Sequence, residues 1–196
     1  FSQNRINSDK TFKFFKTHNM FIKYKNYPFT DIKNTLATIH IVRDPRNVIS
    51  SVLYHFSKKN YAEAKDFLFD ENKAIGKKFD TNDPNLNRNI FTVISSWKNH
   101  YNSWKQFKKN YLLIKYEDLI TDIRKEIIRI AKYLSNHFEY EFSEKIIDEI
   151  KKNTSFENFK ELETKGKFKE NSINEITGEK NTFFNLGPKN NWKEIL

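Results

Sequence analysis

The stretch Thr38–Phe56 reads T-I-H-I-V-R-D-P-R-N-V-I-S-S-V-L-Y-H-F and decides the fold. The residues from Ala37, directly before this stretch, to Val42 form a short run rich in β-branched residues, which predicts a buried strand. Asp44 and Pro45 predict a helix start, because aspartate caps helix N-termini and proline is tolerated at the first helical position. Apolar residues then recur at helical spacing and provide one face that can pack on a sheet: Val48, Ile49, Val52, Leu53 and Phe56.

The junction between this strand and this helix is a candidate phosphate site. Arg43 stands at the end of the strand, and the helix that follows offers unpaired N–H groups at its N-terminus. Asn47 and Ser51 lie on a second stripe of the helix, so a hydroxyl is near the arginine. The same residues also fit an ordinary strand-to-helix junction with a solvated arginine, and this segment alone does not choose between the two interpretations.

Composition favours one domain, residues 1–196, that binds anions. The chain has 196 residues and a formal net charge of +10, from 35 basic and 25 acidic residues. This charge favours an anionic ligand such as a nucleotide, although a solvated lysine-rich surface explains it equally well. There is no cysteine, which excludes disulfides and thiolate chemistry and fits a reducing, cytoplasmic location. No apolar run approaches the ~20 residues of a membrane span.

Further strands and helices predict an α/β fold. Thr11–Lys16 alternates like a strand and delivers Lys16 and His18 at its end, where open α/β sheets place catalytic groups. Tyr111–Tyr116 predicts another buried strand. Apolar residues at helical spacing predict three more helices, over residues 90–104, 120–134 and 142–150. Strands that alternate with helices imply a mostly parallel sheet flanked by helices, and the glycine-containing stretch 163–191 is expected to be a mobile loop that covers a ligand.

Four pieces of the sequence together resemble one family. They are K-T-H-N at Lys16–Asn19, R-D-P-R-N-V-I-S-S at Arg43–Ser51, Y-E-D-L at Tyr116–Leu119 and T-S-F-E-N-F at Thr154–Phe159. Their order and spacing are similar to those of cytosolic-type sulfotransferases, which use 3′-phosphoadenosine 5′-phosphosulfate (PAPS) as sulfuryl donor. A fifth piece, G-P-K-N-N-W-K at Gly187–Lys193, is similar to the C-terminal glycine-rich loop of that family. The resemblance runs from about Thr11 onward and implies a P-loop-like three-layer fold.

The resemblance implies how PAPS is bound. Arg43 and Ser51 would hold its 3′-phosphate, the arginine through charge-assisted hydrogen bonds and the serine through its hydroxyl. The remaining positions that match the family's nucleotide-binding residues are Tyr116, Thr154 and Phe156, about the adenine, and Gly187 in the C-terminal loop. For Tyr116 and Phe156, simple packing in the core is the alternative interpretation.

The resemblance also assigns the chemistry. His18 would be the general base that takes the proton of the acceptor hydroxyl as its oxygen attacks sulfur in line. Lys16 would stabilise the negative charge that gathers on the sulfuryl group and on the bridging oxygen. No metal is required. The acceptor would be a small molecule or a glycan with a hydroxyl or amine, and the sequence leaves its identity and the oligomeric state open. For a lone loop histidine, a role without catalysis is the alternative.

Two departures from the family pattern stand out. Such enzymes carry a Pro-Lys-Ser-Gly-Thr-Thr-Trp loop before the K-T-H element, and nothing of that kind precedes Lys16, so an N-terminally truncated copy without the first strand and the phosphosulfate loop is expected. In the C-terminal loop, Asn185 and Leu186 replace an Arg-Lys pair that contacts the 3′-phosphate. Lys189 or Lys193 would then have to supply the missing charge.

Two alternatives to an active enzyme remain. A catalytically dead sulfotransferase-like fragment would keep the fold without the activity, and the departures above make it plausible. A basic nucleic-acid-binding module would explain the charge, and its affinity would fall steeply with salt. No nucleic-acid-binding motif is recognisable, so no nucleic acid is expected as partner.

Overall fold

The computed structural model describes residues 11–76, 92–108, 110–139, 142–174 and 177–195, apart from the side chain of Tyr24. They belong to two compact units: Phe1–Thr38 with Phe67–Tyr111, and Ile39–Asp66 with Leu112–Leu196. The expectation of a single domain stays a prediction. No helix in these ranges combines the length and the apolar composition that crossing a membrane requires.

The elements follow one another as short strands and mostly short helices. The strands are β1 (Lys23–Tyr24), β2 (Tyr27–Pro28), β3 (Thr38–Val42), β4 (Ala74–Ile75), β5 (Thr92–Val93) and β6 (Tyr111–Lys115). The helices are α1 (Pro45–His55), α2 (Tyr61–Phe69), α3 (Trp97–Lys105), α4 (Tyr116–Thr121), α5 (Ile123–Ser135), α6 (Glu144–Asn153), α7 (Phe156–Thr164) and α8 (Trp192–Ile195). A 3₁₀ turn, Gly187–Lys189, precedes α8.

The first unit is built around an aromatic core. Trp104 and Phe107 are buried, and the ring of Phe21 lies 5.5 Å from the first and 5.8 Å from the second. Phe29 meets Trp104 edge to face at 6.1 Å. Two antiparallel ladders of two residues each, β1 with β2 and β4 with β5, accompany this core. Aromatic rings bury large apolar areas, so a few of them can organise a small unit.

Two predictions for the first unit are wrong. Thr11–Lys16 forms no strand, and its phenylalanines at positions 12, 14 and 15 are 62 to 77% exposed. Alternation produces a strand only where one face is buried, and no such face forms here. The helix predicted over residues 90–104 begins only at Trp97, because Thr92–Val93 pairs with β4 and the Ser96 side chain caps the helix. Ile90 lies outside the described residues.

Strands β3 and β6 pair with each other, and apart from their first residues, Thr38 and Tyr111, they belong to the second unit. The Thr38 N–H donates to the Asn110 carbonyl at 2.8 Å, so the two strand starts lie side by side and the strands run parallel. His40 is buried, whereas Ile39 and Ile41 are 36% and 58% exposed, so β3 is buried on one face only. Helix α1 begins as predicted: Asp44 accepts the Arg46 N–H and Pro45 is the first helical residue.

Helices α4 to α7 of the second unit pack each on the next, and the buried residues of α5 and α6 include aliphatic side chains. Ile127 and Ala131 of α5 and Ile147 of α6 are buried, and Arg124 joins the two helices through Glu144 and Asp148. The helix predicted over residues 120–134 is divided into α4 and α5 at Asp122, whose side chain caps α5 by accepting the Lys125 N–H. The segment 163–191 is largely irregular where it is described. Its predicted mobility stays a prediction.

Candidate nucleotide-binding site

The residues at Lys16–Asn19 are tethered through their backbone. The Asn19 carbonyl accepts from the Trp104 indole N–H at 3.0 Å, and its side-chain oxygen accepts from the Val93 N–H at 2.9 Å. The ring Nε2 of His100 lies 3.3 Å from the His18 carbonyl, which can only accept. These bonds anchor the segment to α3 and β5, and the side chains of Lys16 and His18 are left exposed. Both can therefore meet a substrate.

Because the His100 imidazole is partly buried, we expect the first unit to lose stability at acid pH. Burial lowers the pKa of the His100 imidazole below its ordinary value of 6.5, and the charge of His18 lowers it further. The hydrogen bond to the His18 carbonyl raises the pKa, but by less than burial lowers it. Below about pH 6.5, His100 binds a proton in the unfolded chain more readily than in the folded chain. The free energy of unfolding therefore falls as the pH decreases. Urea unfolding between pH 8 and 5 is expected to show this loss, and His100→Gln is expected to reduce it. An unchanged pH dependence in that variant would contradict the assignment.

Arg43 is the central residue of the second unit's site. Its guanidinium lies over the Tyr116 ring, 4.4 Å from the centroid, and Nη2 donates to the Gly187 carbonyl at 3.3 Å. Its Nε is buried and has no hydrogen-bond partner within the described part of the chain. Burial lowers the pKa of the Arg43 guanidinium below its ordinary value, and the charges of Tyr116 and Glu117 oppose this shift. Arginine nevertheless keeps its charge at neutral pH.

Gly187 brings Phe156 into the same site. Its φ of +52° lies in the left-handed region, which glycine adopts without strain. A Cβ at this position would lie only 2.2 Å from a ring carbon of Phe156. The ring of Phe156 also meets that of Phe184 edge to face at 6.0 Å. The structure thus brings together four residues of the predicted nucleotide site: Arg43, Tyr116, Phe156 and Gly187.

Gly187→Ala is expected to destabilise the second unit more than Gly166→Ala does. Both glycines have a positive φ, +52° and +68°, and alanine costs about 1–2 kcal/mol in this conformation. Only at Gly187 must the new methyl group also displace a ring, which adds about 1–3 kcal/mol, since nothing lies within 4 Å of a Cβ at Gly166. Urea unfolding measures both losses. Equal losses would show that Phe156 does not pack on this glycine.

Ser51 and Thr154 are not among the residues that contact Arg43 in the structure. Ser51 is exposed on α1, whereas its neighbour Ser50 is completely buried and its hydroxyl has no partner within the described ranges. Thr154 is exposed after the end of α6, and its hydroxyl donates to the Ile150 carbonyl at 2.7 Å. Both side chains can be reached by a ligand, but neither is part of the cluster around Arg43.

The C-terminal loop carries two exposed lysines near its glycine. Lys189 lies in the same 3₁₀ turn as Gly187, and Lys193 lies in α8 with its ammonium group 5.9 Å from the Trp192 ring centroid. The positions Asn185 and Leu186 contribute no charge. In the part of the chain that the structure describes, Arg43 is accordingly the cation that contacts the Gly187 turn through a hydrogen bond.

Sequence reasoning gave no role to the polar residues that hold this cluster together. The Glu117 carboxylate accepts the Asp44 N–H at 3.0 Å and the Asn47 amide at 3.4 Å. Asn47 in turn accepts the Trp192 N–H at 2.9 Å, and its carbonyl accepts the Asn190 amide at 2.8 Å. These bonds join residues 70 to 145 positions apart, so no local pattern could have indicated them.

Comparison with known proteins identifies the family. The model of the sulfotransferase domain matches residues 2–196. The 3-beta-hydroxysteroid sulfotransferase of Cavia porcellus is 29% identical over 171 residues, which are 85% of this chain and 53% of that protein. The amine sulfotransferase of Oryctolagus cuniculus is 30% identical over 173 residues, 84% of this chain and 51% of that protein.

A solved structure supports the same fold. The crystal structure of a mouse sulfotransferase complexed with PAP aligns with a TM-score of 0.58 and 18% identity, over 89% of this chain and 58% of that one. The predicted α/β, P-loop-like class is thereby confirmed. The chain spans about half the length of the curated relatives it matches. With a domain model that matches nearly its whole length, the chain belongs to the sulfotransferase family.

Proposed function

We propose that this chain binds PAPS and its product adenosine 3′,5′-bisphosphate (PAP), and that the protein transfers the sulfuryl group of PAPS to a hydroxyl or amine of an acceptor. The observation that carries the proposal is the environment of Arg43. Its guanidinium is half-buried, and its Nε has no partner within the described ranges. Family membership and a neighbour solved with PAP support the choice of nucleotide.

The charge of Arg43 favours a phosphate as its partner. A buried charge is costly unless it is paired, and within the described ranges Arg43 forms no ion pair with a carboxylate; the charge of Glu117 favours the charged arginine without a direct ion pair. The nearest acid in its sequence neighbourhood, Asp44, is occupied by Arg46 at 2.5 Å. A planar guanidinium presents several N–H donors that match phosphate oxygens. In this proposal, Arg43 and the exposed Ser51 hydroxyl bind the 3′-phosphate.

The adenine would be held by the aromatic part of the site. The Tyr116 ring already stacks with the Arg43 guanidinium, and Phe156 packs on Gly187. An aromatic face suits a purine, which gains from stacking and loses little hydrogen bonding. Thr154, exposed at the end of α6, offers a hydroxyl and a carbonyl near the start of α7. We assign Tyr116, Thr154 and Phe156 to the adenine, and Gly187 to the loop that closes on the nucleotide.

The chemical step requires a base and a cation, which we assign to His18 and Lys16. The acceptor oxygen forms a bond to sulfur while the bond from sulfur to the 5′-phosphate oxygen breaks, and PAP leaves. His18 takes the acceptor proton, and Lys16 stabilises the charge on the sulfuryl and bridging oxygens. Both side chains are exposed, and the backbone of their segment is tethered at Asn19 by α3 and β5. This arrangement fixes the segment while leaving the reactive groups accessible.

The acceptor is proposed as a small hydroxyl or amine compound. The names of two relatives refer to hydroxysteroid and amine sulfotransferases, so both classes of acceptor occur among them. Steroid alcohols, simple phenols and aliphatic amines therefore form the first panel. Transfer of labelled sulfuryl from PAPS to one of these compounds by the full-length protein would establish the reaction.

Nucleotide binding by this chain tests the proposal directly. Isothermal titration calorimetry with PAP and with adenosine 5′-monophosphate is expected to show at least about tenfold tighter binding of PAP, because only PAP carries the 3′-phosphate. Equal affinities would refute the phosphate assignment. Binding of DNA and RNA of any sequence with a steep salt dependence, and no preference for PAP, would favour the nucleic-acid-binding alternative.

A further inference from the structure

Asn47 joins the C-terminal segment to the helix that follows Arg43. It is the third residue of α1, and its side-chain oxygen accepts the Trp192 N–H at 2.9 Å. Its carbonyl accepts the Asn190 amide at 2.8 Å. Asn190 is 5% exposed and directly follows the 3₁₀ turn that begins at Gly187. Two hydrogen bonds from Asn47 therefore hold the segment that places the Gly187 carbonyl against Arg43.

The same side chain also bonds to the first turn of α4, which carries Tyr116. The Asn47 amide donates to the Glu117 carboxylate at 3.4 Å, and that carboxylate accepts the Asp44 N–H at 3.0 Å. Tyr116, the residue before Glu117, stacks with the Arg43 guanidinium. Asn47 is thus bonded both to the segment after Gly187 and to the turn that contains Tyr116. These two segments provide the contacts of Arg43.

We infer that Asn47 is a positioning residue for the 3′-phosphate site, an inference that rests on the proposed function. Within the described residues, the hydrogen bonds of Asn47 to distant segments go to Glu117, Asn190 and Trp192 and not to the guanidinium, so it acts through the two segments that surround Arg43. A side-chain amide suits this position because its oxygen accepts from the Trp192 N–H and its nitrogen donates to the Glu117 carboxylate. With these bonds in place, the orientation of Arg43 toward a phosphate is set before the nucleotide binds.

The test measures how much the 3′-phosphate contributes to binding, as the ratio of the dissociation constants of adenosine 5′-monophosphate and PAP. Asn47→Leu keeps the size of the side chain and removes both of its hydrogen bonds. It is expected to lower this ratio about tenfold, which corresponds to about 1.4 kcal/mol, while the affinity for adenosine 5′-monophosphate stays nearly constant. Equal weakening of both nucleotides would overturn the inference, because a general loss of structure affects them alike.

A double-mutant cycle separates positioning from a structural role. If Asn47 acts through Arg43, Asn47→Leu is expected to leave the ratio unchanged when it is introduced into Arg43→Ala. The same tenfold loss in that background would overturn the inference. Asn171→Leu is the matched control, because its amide also bonds a carboxylate, that of Glu163, and the Asn181 carbonyl. This control is expected to change both affinities together, if at all.

A second variant covers the case in which Asn47→Leu does not fold. Asn190→Ala removes the side chain whose amide donates to the Asn47 carbonyl and leaves the Asn47 side chain in place, and it is expected to lower the same ratio by about threefold, or roughly 0.7 kcal/mol. An unchanged ratio in folded Asn190→Ala would overturn the inference. If the unaltered chain binds PAP no more tightly than adenosine 5′-monophosphate, the proposed function fails, and this inference fails with it. That outcome is measured on the unaltered chain, before any variant is made, so it is distinct from a failure of the inference alone.

Discussion

Arg43→Ala is expected to weaken the binding of PAP by about 1.5–3 kcal/mol, or roughly 10- to 150-fold, the usual contribution of a hydrogen-bonded charged partner. The physical reason is that Arg43 presents a half-buried guanidinium whose Nε has no partner within the described residues. Adenosine 5′-monophosphate, which lacks the 3′-phosphate, is expected to bind the variant almost as it binds the unaltered chain. Calorimetry with both nucleotides provides the measurement.

Arg124→Ala is the matched control for this prediction. It removes the same charge from the same unit, but Arg124 pairs with Glu144 and Asp148 between α5 and α6. Surface ion pairs of this kind contribute little, so PAP is expected to bind this variant with unchanged affinity. If both variants lose affinity equally, the effect comes from net charge rather than from a phosphate contact. If neither loses affinity, Arg43 does not bind the 3′-phosphate.

His18→Ala is expected to reduce the turnover number of the full-length protein by about 10²- to 10⁴-fold, the usual contribution of a positioned general base. Binding of PAP is expected to change less than about twofold, because the proposed role of His18 concerns the acceptor proton and not the nucleotide. Steady-state transfer of labelled sulfuryl from PAPS measures the first quantity, and calorimetry measures the second. Turnover equal to that of the unaltered protein would remove His18 from the mechanism.

His137→Ala controls for the loss of a histidine as such. His137 follows α5 and packs edge to face on Tyr133 at 5.4 Å, with no role in the proposed chemistry. Its replacement is expected to leave turnover unchanged. The pH dependence adds a second check, since a base that must be neutral produces a fall in rate toward acid pH. A variant at position 18 that keeps this limb of the profile would indicate that another group is the base.

The strand and helix around Arg43 were predictable because their signals are local. The positions of the strand Thr38–Val42 and of the start of α1 agree with the prediction, since β-branched residues, an aspartate cap and a proline act within a few positions of one another. The predicted burial of the strand holds for one face only. The strand predicted at Thr11–Lys16 was wrong, because alternation favours a strand only where one face is buried, and Phe12, Phe14 and Phe15 are exposed. The predicted helix over residues 90–104 started too early, since apolar spacing continues through Val93, which instead belongs to a ladder.

The residues predicted for the candidate site fall into two groups, those that contact one another in the structure and those that do not. The motifs identified Arg43, Tyr116, Phe156 and Gly187, and the structure brings these four together. Ser51, Thr154, Lys16 and His18 lie exposed outside this cluster. The nucleotide-binding and catalytic roles of all eight residues stay predictions. The role of Asn47 could not be predicted from the sequence around it, since both of its side-chain partners lie far away in the chain.

By itself, the amino-acid sequence determined the class of the protein: residue types at short spacing specify a strand end with an arginine, a capped helix and the motifs of a sulfotransferase domain. Only the tertiary structure decided that the Arg43 guanidinium is half-buried against Tyr116 and Gly187, and that Asn47 links the segments around it. Hydrogen bonds and burial between segments up to 145 residues apart depend on how the chain packs, and no local pattern encodes them.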